Sequence, residues 1–147
     1  MTLLTLCSLA HAGTFAQLPS LADLDRLSRA VVTGHVLAAA TEAAPWGLVT
    51  TFDIAVDEVL DGEAGSTLRV QLPGGRSGDL VQRYAGVPEW EVGDRVLVFV
   101  PRTGVLPLTG VFTVVDGAVR DPLARFPEPV ALEALADQLR GPVVVER

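Results

Sequence analysis

One histidine, one glycine-rich segment and one run of carboxylates hold the residue types that chemistry would need. Of the two histidines, His11 falls in the first apolar segment and His35 follows Gly34 in a β-prone stretch. No Cys, Asp or Glu stands at ligand spacing from His35, so it reads as a rim histidine rather than a metal ligand. Ser66 or Ser77 could complete a triad with His35 and an Asp. No G-x-S-x-G elbow supports that arrangement. A small hydrolase using His35 with a carboxylate is therefore the alternative reading, and no residue is assigned as catalytic.

Pro73-Gly74-Gly75-Arg76-Ser77-Gly78-Asp79 could cradle an anion with its backbone amides, Arg76 and Ser77. It lacks the Lys-Ser/Thr ending of a nucleotide-binding loop. The expectation is a flexible connection between strands. Asp53, Asp57, Glu58, Asp61 and Glu63 gather within a short stretch and could attract calcium. No ligand spacing around a sharp central glycine accompanies them, so a solvated acidic face is expected. Trp46, Tyr84 and Trp90 stand in loop stretches. Two readings of them stay open: contact surface, or plugs at the ends of a barrel. Aromatic and Arg side chains dominate binding energy at interfaces. Trp46, Arg76, Ser77, Tyr84 and Trp90 are accordingly the candidate partner-contact residues. No cofactor and no metal are expected.

These residues need elements to hold them, and the patterning predicts mainly strands. The 147 residues suit a single domain, and 49% apolar content excludes a disordered chain. A net charge of −7 argues against nucleic-acid binding, because such a surface repels phosphates. No run of about 20 apolar residues is present to span a membrane. Residues 1–12, MTLLTLCSLAHA, read as an export signal cut after Ala12, with Ala10-His11-Ala12 as the small-x-small site. Cleavage would remove Cys7, the single cysteine. The expected setting is secreted or periplasmic, with residues 13–147 as one domain.

Ser20 is the expected cap of a helix over 21–29, with Leu21, Leu24 and Leu27 on its apolar side and Asp23 in the first turn. Strands are expected over 30–37 and 48–60, with a loop from Ala38 to Gly47. Gly34 suggests a bend or a close backbone approach. In the second strand Phe52, Ile54 and Val56 alternate with Asp53 and Asp57, and then the apolar position slips to Val59. A β-bulge near Asp57-Glu58 would account for the slip. Leu68, Val70 and Leu72 mark a half-buried strand. Residues 76–90 are ambiguous between an irregular strand, a long loop and a helical turn. RVLVFV, residues 95–100, reads as a strand buried on both faces. Residues 108–115 and 118–120 flank Asp116-Gly117, a strong hairpin signal. A helix is expected over 129–140. Phe52, Ile54, Val56, Leu68, Val70, Val96, Val98 and Phe99 are expected to face one core. The architecture expected is a small five- to six-stranded OB-like barrel with an N-terminal and a C-terminal helix.

The segments SRAVVTGHV, TTFDIAVDEVLDGEAGSTLRVQLPGG and WEVGDRVLVFV, in that order, resemble the netrin-like (tissue-inhibitor-of-metalloprotease-like) modules. The resemblance covers about Leu24 to Val100. It implies a five-stranded OB-type barrel in an exported setting. The animal modules are stapled by disulfides, and this chain departs from them, since cleavage after Ala12 would leave no cysteine. It also implies a non-catalytic module that contacts another extracytoplasmic protein, with a metalloprotease as one such partner. In that family the amino terminus reaches the protease zinc, which adds Gly13, the terminus after cleavage, to the candidate contact residues. A structural envelope component is the remaining alternative.

Overall fold

The computed structural model describes residues 20–102, 110–123 and 128–140. The export signal and Gly13 lie outside the described residues, as do 103–109, which include the start of the strand expected over 108–115. The described chain is mainly β. It runs α1 (Leu21–Leu27), β1 (Ser28–Ala44), β2 (Gly47–Gly62), β3 (Thr67–Pro73), β4 (Gly75–Ser77) and β5 (Leu80–Gln82). Then come β6 (Arg95–Pro101), β7 (Val111–Val115), β8 (Ala118–Arg120), β9 (Val130–Ala131) and α2 (Leu132–Arg140).

Seven strands form one sheet in the order β3-β2-β1-β6-β7-β8-β9, and every pairing is antiparallel. β4 and β5 form a separate two-stranded ribbon. The expected barrel is replaced by an open sheet: among the described residues β3 and β9 stand at opposite ends of it, and no closed barrel is found. Closure needs the first and last strands to exchange hydrogen bonds. β9 is only two residues long and already pairs with β8.

Ser20 caps α1 through a capping box: its hydroxyl accepts from the Asp23 amide, and the Asp23 carboxylate accepts from the Ser20 amide. The helix stops at Leu27 because Ser28 is already extended and enters β1. β1 reaches Ala44, so the loop expected over 38–47 shrinks to the Pro45-Trp46 turn between paired Ala44 and Gly47. Alanine has weak strand preference, and cross-strand pairing with β2 overrides it.

The β1–β2 ladder shifts register three times. Gly34 pairs with Val56 and Thr33 with Glu58, which leaves Asp57 as the extra residue, where the slip in alternation predicts a bulge. A second bulge leaves out Leu60, between Val59 and Asp61. Each bulge reverses the facing of the residues beyond it. Leu60 therefore points to the opposite face from Ile54, although both numbers are even. Gly34 is the close approach: a Cβ there would run into the Ala55 carbonyl oxygen and lie 2.8 Å from Ile54 Cγ2.

Both faces of the sheet are buried over its centre. Val32, Val36, Phe52, Ile54, Val70, Val96 and Val98 share one core with Trp90, and Val56 and Leu68 pack against it. Val31, Leu60, Leu97, Phe99 and Phe112 share the other with Leu24 of α1 and Leu132 and Leu135 of α2. β6 contributes to both cores, which is why its sequence is apolar without alternation. Phe99, expected in the same core as Val98, stands instead on the helix-covered face, edge-on to Phe112 at 5.7 Å between ring centres. Adjacent residues of a strand face opposite ways, and the second core receives it. Asp116 and Gly117, both at positive φ (51° and 75°), make the tight β7–β8 turn. α2 begins at Leu132, since Val130 and Ala131 pair with β8 first.

Candidate functional site

The segment 76–90 folds into a hairpin and a loop. Ser77 pairs with Leu80 across the Gly78-Asp79 turn. The ribbon is pinned onto the β1–β2 arm rather than hanging free. The Gly74 amide donates to the Leu48 carbonyl at 2.8 Å, and Thr50 Oγ1 donates to the Gly74 carbonyl at 2.7 Å. Thr50 and Thr41 hydroxyls meet at 2.9 Å. Gly75, at φ 130°, lies where any Cβ would strike both hydroxyls. The Leu48 amide donates to Gln82 Oε1 at 2.6 Å. Gly74 and Gly75 thus serve close packing, Gly78 at φ 59° serves the turn, and the expected flexible connection is an ordered ribbon.

Between the ribbon, the arm and residues 83–91 lies a cleft of about 290 Å³. Phe52, Leu72, Val87 and Trp90 give it an apolar base, and Arg76, Arg83 and Tyr84 stand among its other lining residues. Arg83 Nε is 2.6 Å from Glu89 Oε1, so that charge is neutralised locally. Arg76 is exposed and forms no ion pair among the described residues.

The candidate contact residues separate into two groups. Trp90 takes the plug option: it is 5% exposed, meets Phe52 edge-on at 5.4 Å, and its Nε1–H donates to Thr113 Oγ1 at 3.1 Å. Trp46 and Tyr84 are 65% and 42% exposed. Tyr84 Oη lies 3.1 Å from where a Cβ on Gly47 would stand, which places the residue after Trp46 beside the cleft. Arg76, Tyr84 and Trp90 line the cleft together, and Ser77 follows Arg76 on β4 without lining it. Thr41, Thr50 and Gln82 also build the site. No local signal marks them in the sequence, because their role comes from the ribbon folding back onto the arm.

His35 Nδ1 lies 2.9 Å from Asp57 Oδ1, with side chains 44% and 41% exposed. The bulge aims Asp57 at the histidine, as bulges re-aim side chains. The other acidic residues of that run diverge. Asp53 pairs with Arg69 across the β2–β3 ladder at 2.9 Å. Glu58 lines a separate recess against α2. Among the described residues no group of three or more His, Cys, Asp or Glu side chains is placed to hold a metal.

Asp25, on α1, is the most perturbed carboxyl described. Burial first, then a hydrogen bond and repulsion from Asp61, push it up to about 6, against the pull of Arg102. Its Oδ1 is buried without a hydrogen-bond partner. Asp23 moves the other way: hydrogen bonds from Ser20 hold its carboxyl below the ordinary range.

No protein family, curated protein or solved structure matches this chain at a significant level.

Proposed function

We propose that this protein is an exported, non-catalytic binding module related to the netrin-like family, docking on another extracytoplasmic protein through the end of the molecule that carries Trp46 and the cleft. The observation that carries this reading is the surface there. Trp46, Leu80 and Tyr84 expose large apolar or aromatic side chains on the β1–β2 turn, β5 and the residues just after it. Exposed aromatics next to a cleft with an available Arg are the composition of binding surfaces. The kinship rests on the order of the three sequence segments SRAVVTGHV, TTFDIAVDEVLDGEAGSTLRVQLPGG and WEVGDRVLVFV, and under it a metalloprotease is the partner class to test. Capture from an extracytoplasmic extract on immobilised protein tests the proposal. Trp46→Ala should weaken capture while leaving the melting temperature unchanged. Undiminished capture would move the contact surface elsewhere.

A second reading, hydrolysis with His35 and Asp57, rests on their 2.9 Å contact, the relation in which a carboxylate orients a general base. A hydrolytic activity abolished by His35→Ala would decide for it.

A further inference from the structure

β1 is paired along only half of one side. β6 follows it as far as His35, and the Val36 amide and carbonyl then bond to Asp94 and Gly93. From Ala38 to Ala44 β1 pairs with β2 alone, and among the described residues no strand pairs with its other edge. Ala38, Ala39, Ala40, Glu42 and Ala43 are exposed, and Leu37 is 48% exposed at the bulge. Such an edge is a template for another strand unless something blunts it. The usual blunting devices are Lys, Pro, inward charges or a bulge, and here the bulge at Leu37 marks where the free edge begins. Here three consecutive alanines leave the backbone accessible, and Glu42 is the one charge.

This edge adjoins the cleft. Ala39 and Thr41 line it, two residues apart and so on one face of β1. A strand laid along the edge would point alternate side chains toward Phe52 and Trp90. A space of about 290 Å³ is enough for one large apolar side chain. Among the described residues Arg76 forms no ion pair; of the two glutamates that also line the cleft, Glu89 is held by Arg83 and Glu91 forms no ion pair with Arg76, in a chain of net charge −7. Like charge disfavours a second copy as occupant, and the free guanidinium favours an acidic group.

Resting on the reading of this protein as a binding module, we infer that it captures its partner by strand addition. An extended segment of the partner pairs with the β1 edge from Ala38 to Ala43, seats an apolar side chain in the cleft and places a carboxylate on Arg76. Main-chain hydrogen bonds would supply affinity, and the cleft and Arg76 would supply sequence preference.

The test is a phage library of random peptides of about 12 residues, long enough for one added strand, selected on the intact protein. The expected winners alternate apolar residues and carry an Asp or Glu. With the synthetic winner bound, amide hydrogen exchange should slow at residues 38–43. Arg76→Glu should weaken binding roughly tenfold, and replacing the peptide's acid by Arg should restore binding to that variant. Three outcomes would overturn the inference: no enriched peptide, protection confined to other strands, or self-association in sedimentation with the edge protected in the absence of peptide. Capture of a protein partner that survives Arg76→Glu with the edge unprotected would reject strand addition and leave the binding-module reading standing. Peptide binding that protects the edge, with no extracytoplasmic protein captured, would do the reverse.

Discussion

Trp90 and Asp25 show how far a residue's type underdetermines its role. A tryptophan between Pro88 and Gly93 has the neighbours of a surface loop, yet it closes one end of a core against Phe52 and hands its N–H to Thr113. Trp90→Ala should cost about 3–5 kcal/mol, the range for removing a large buried aromatic, and the loss will appear in denaturant melts. It will therefore disturb any binding assay through unfolding, which Trp46→Ala will not. Asp25 sits in a helix that reads as an ordinary amphipathic turn. Its carboxyl is raised to about 6 by burial and by Asp61, so the folded state holds that proton more tightly than the unfolded chain does. The resulting stabilisation is fully present below the ordinary carboxyl value and is lost as pH rises through about 6. Asp25→Asn should match the wild-type melting temperature near about pH 4 and exceed it at about pH 7.5. Equal melting temperatures at both ends would show that Asp25 is not strained.

At the scale of elements, the β1–β2 hairpin organises the rest. Its two bulges in β2 decide which face each residue serves, and they send Leu60 to the helix-covered core while Ile54 stays in the other. Gly34 permits the tight crossing beside the first bulge. Gly34→Val would drive a branched side chain into the Ala55 carbonyl and Ile54, in a core with no room to yield. We expect the variant to be recovered largely unfolded, by circular dichroism and by loss of a cooperative melt. A normal melt would mean that the β1–β2 register differs. The ribbon β4–β5 depends on the same hairpin, because Leu48 and Thr50 supply the bonds that seat it and Thr41 meets the Thr50 hydroxyl from β1.

For the whole molecule, two cores on opposite faces of one sheet make up its stability, with no disulfide contributed by a single cysteine. A domain of this length can stand on packing alone. If the segment 1–12 is removed on export, mass spectrometry of the extracytoplasmic form will begin at Gly13 and will contain no cysteine. A form retaining Cys7 would refute the export proposal.

Caps, turns and the facing of single strands were legible in the order of residues. Ser20 and Asp23 make the capping box because their spacing leaves an amide and a carboxylate in reach of each other. Asp116-Gly117 turns because both positions tolerate positive φ. The slip from Val56 to Val59 requires a bulge, and the unbroken apolar run of β6 requires two buried faces. Long-range packing set the remainder. The alanines of β1 became strand because β2 was there to pair with them, against their own weak preference. Residues 76–90 had no periodicity to read, and their form depends on distant partners: Gln82 accepts from the Leu48 amide of β2 and Trp90 donates to Thr113 of β7. Among the described residues the sheet is open rather than closed, since closure depends on how bend and stagger accumulate over many strands. The cleft, finally, joins residues from Ala39 to Glu91 that share no local pattern, and only the folding of the ribbon onto the arm brings them together.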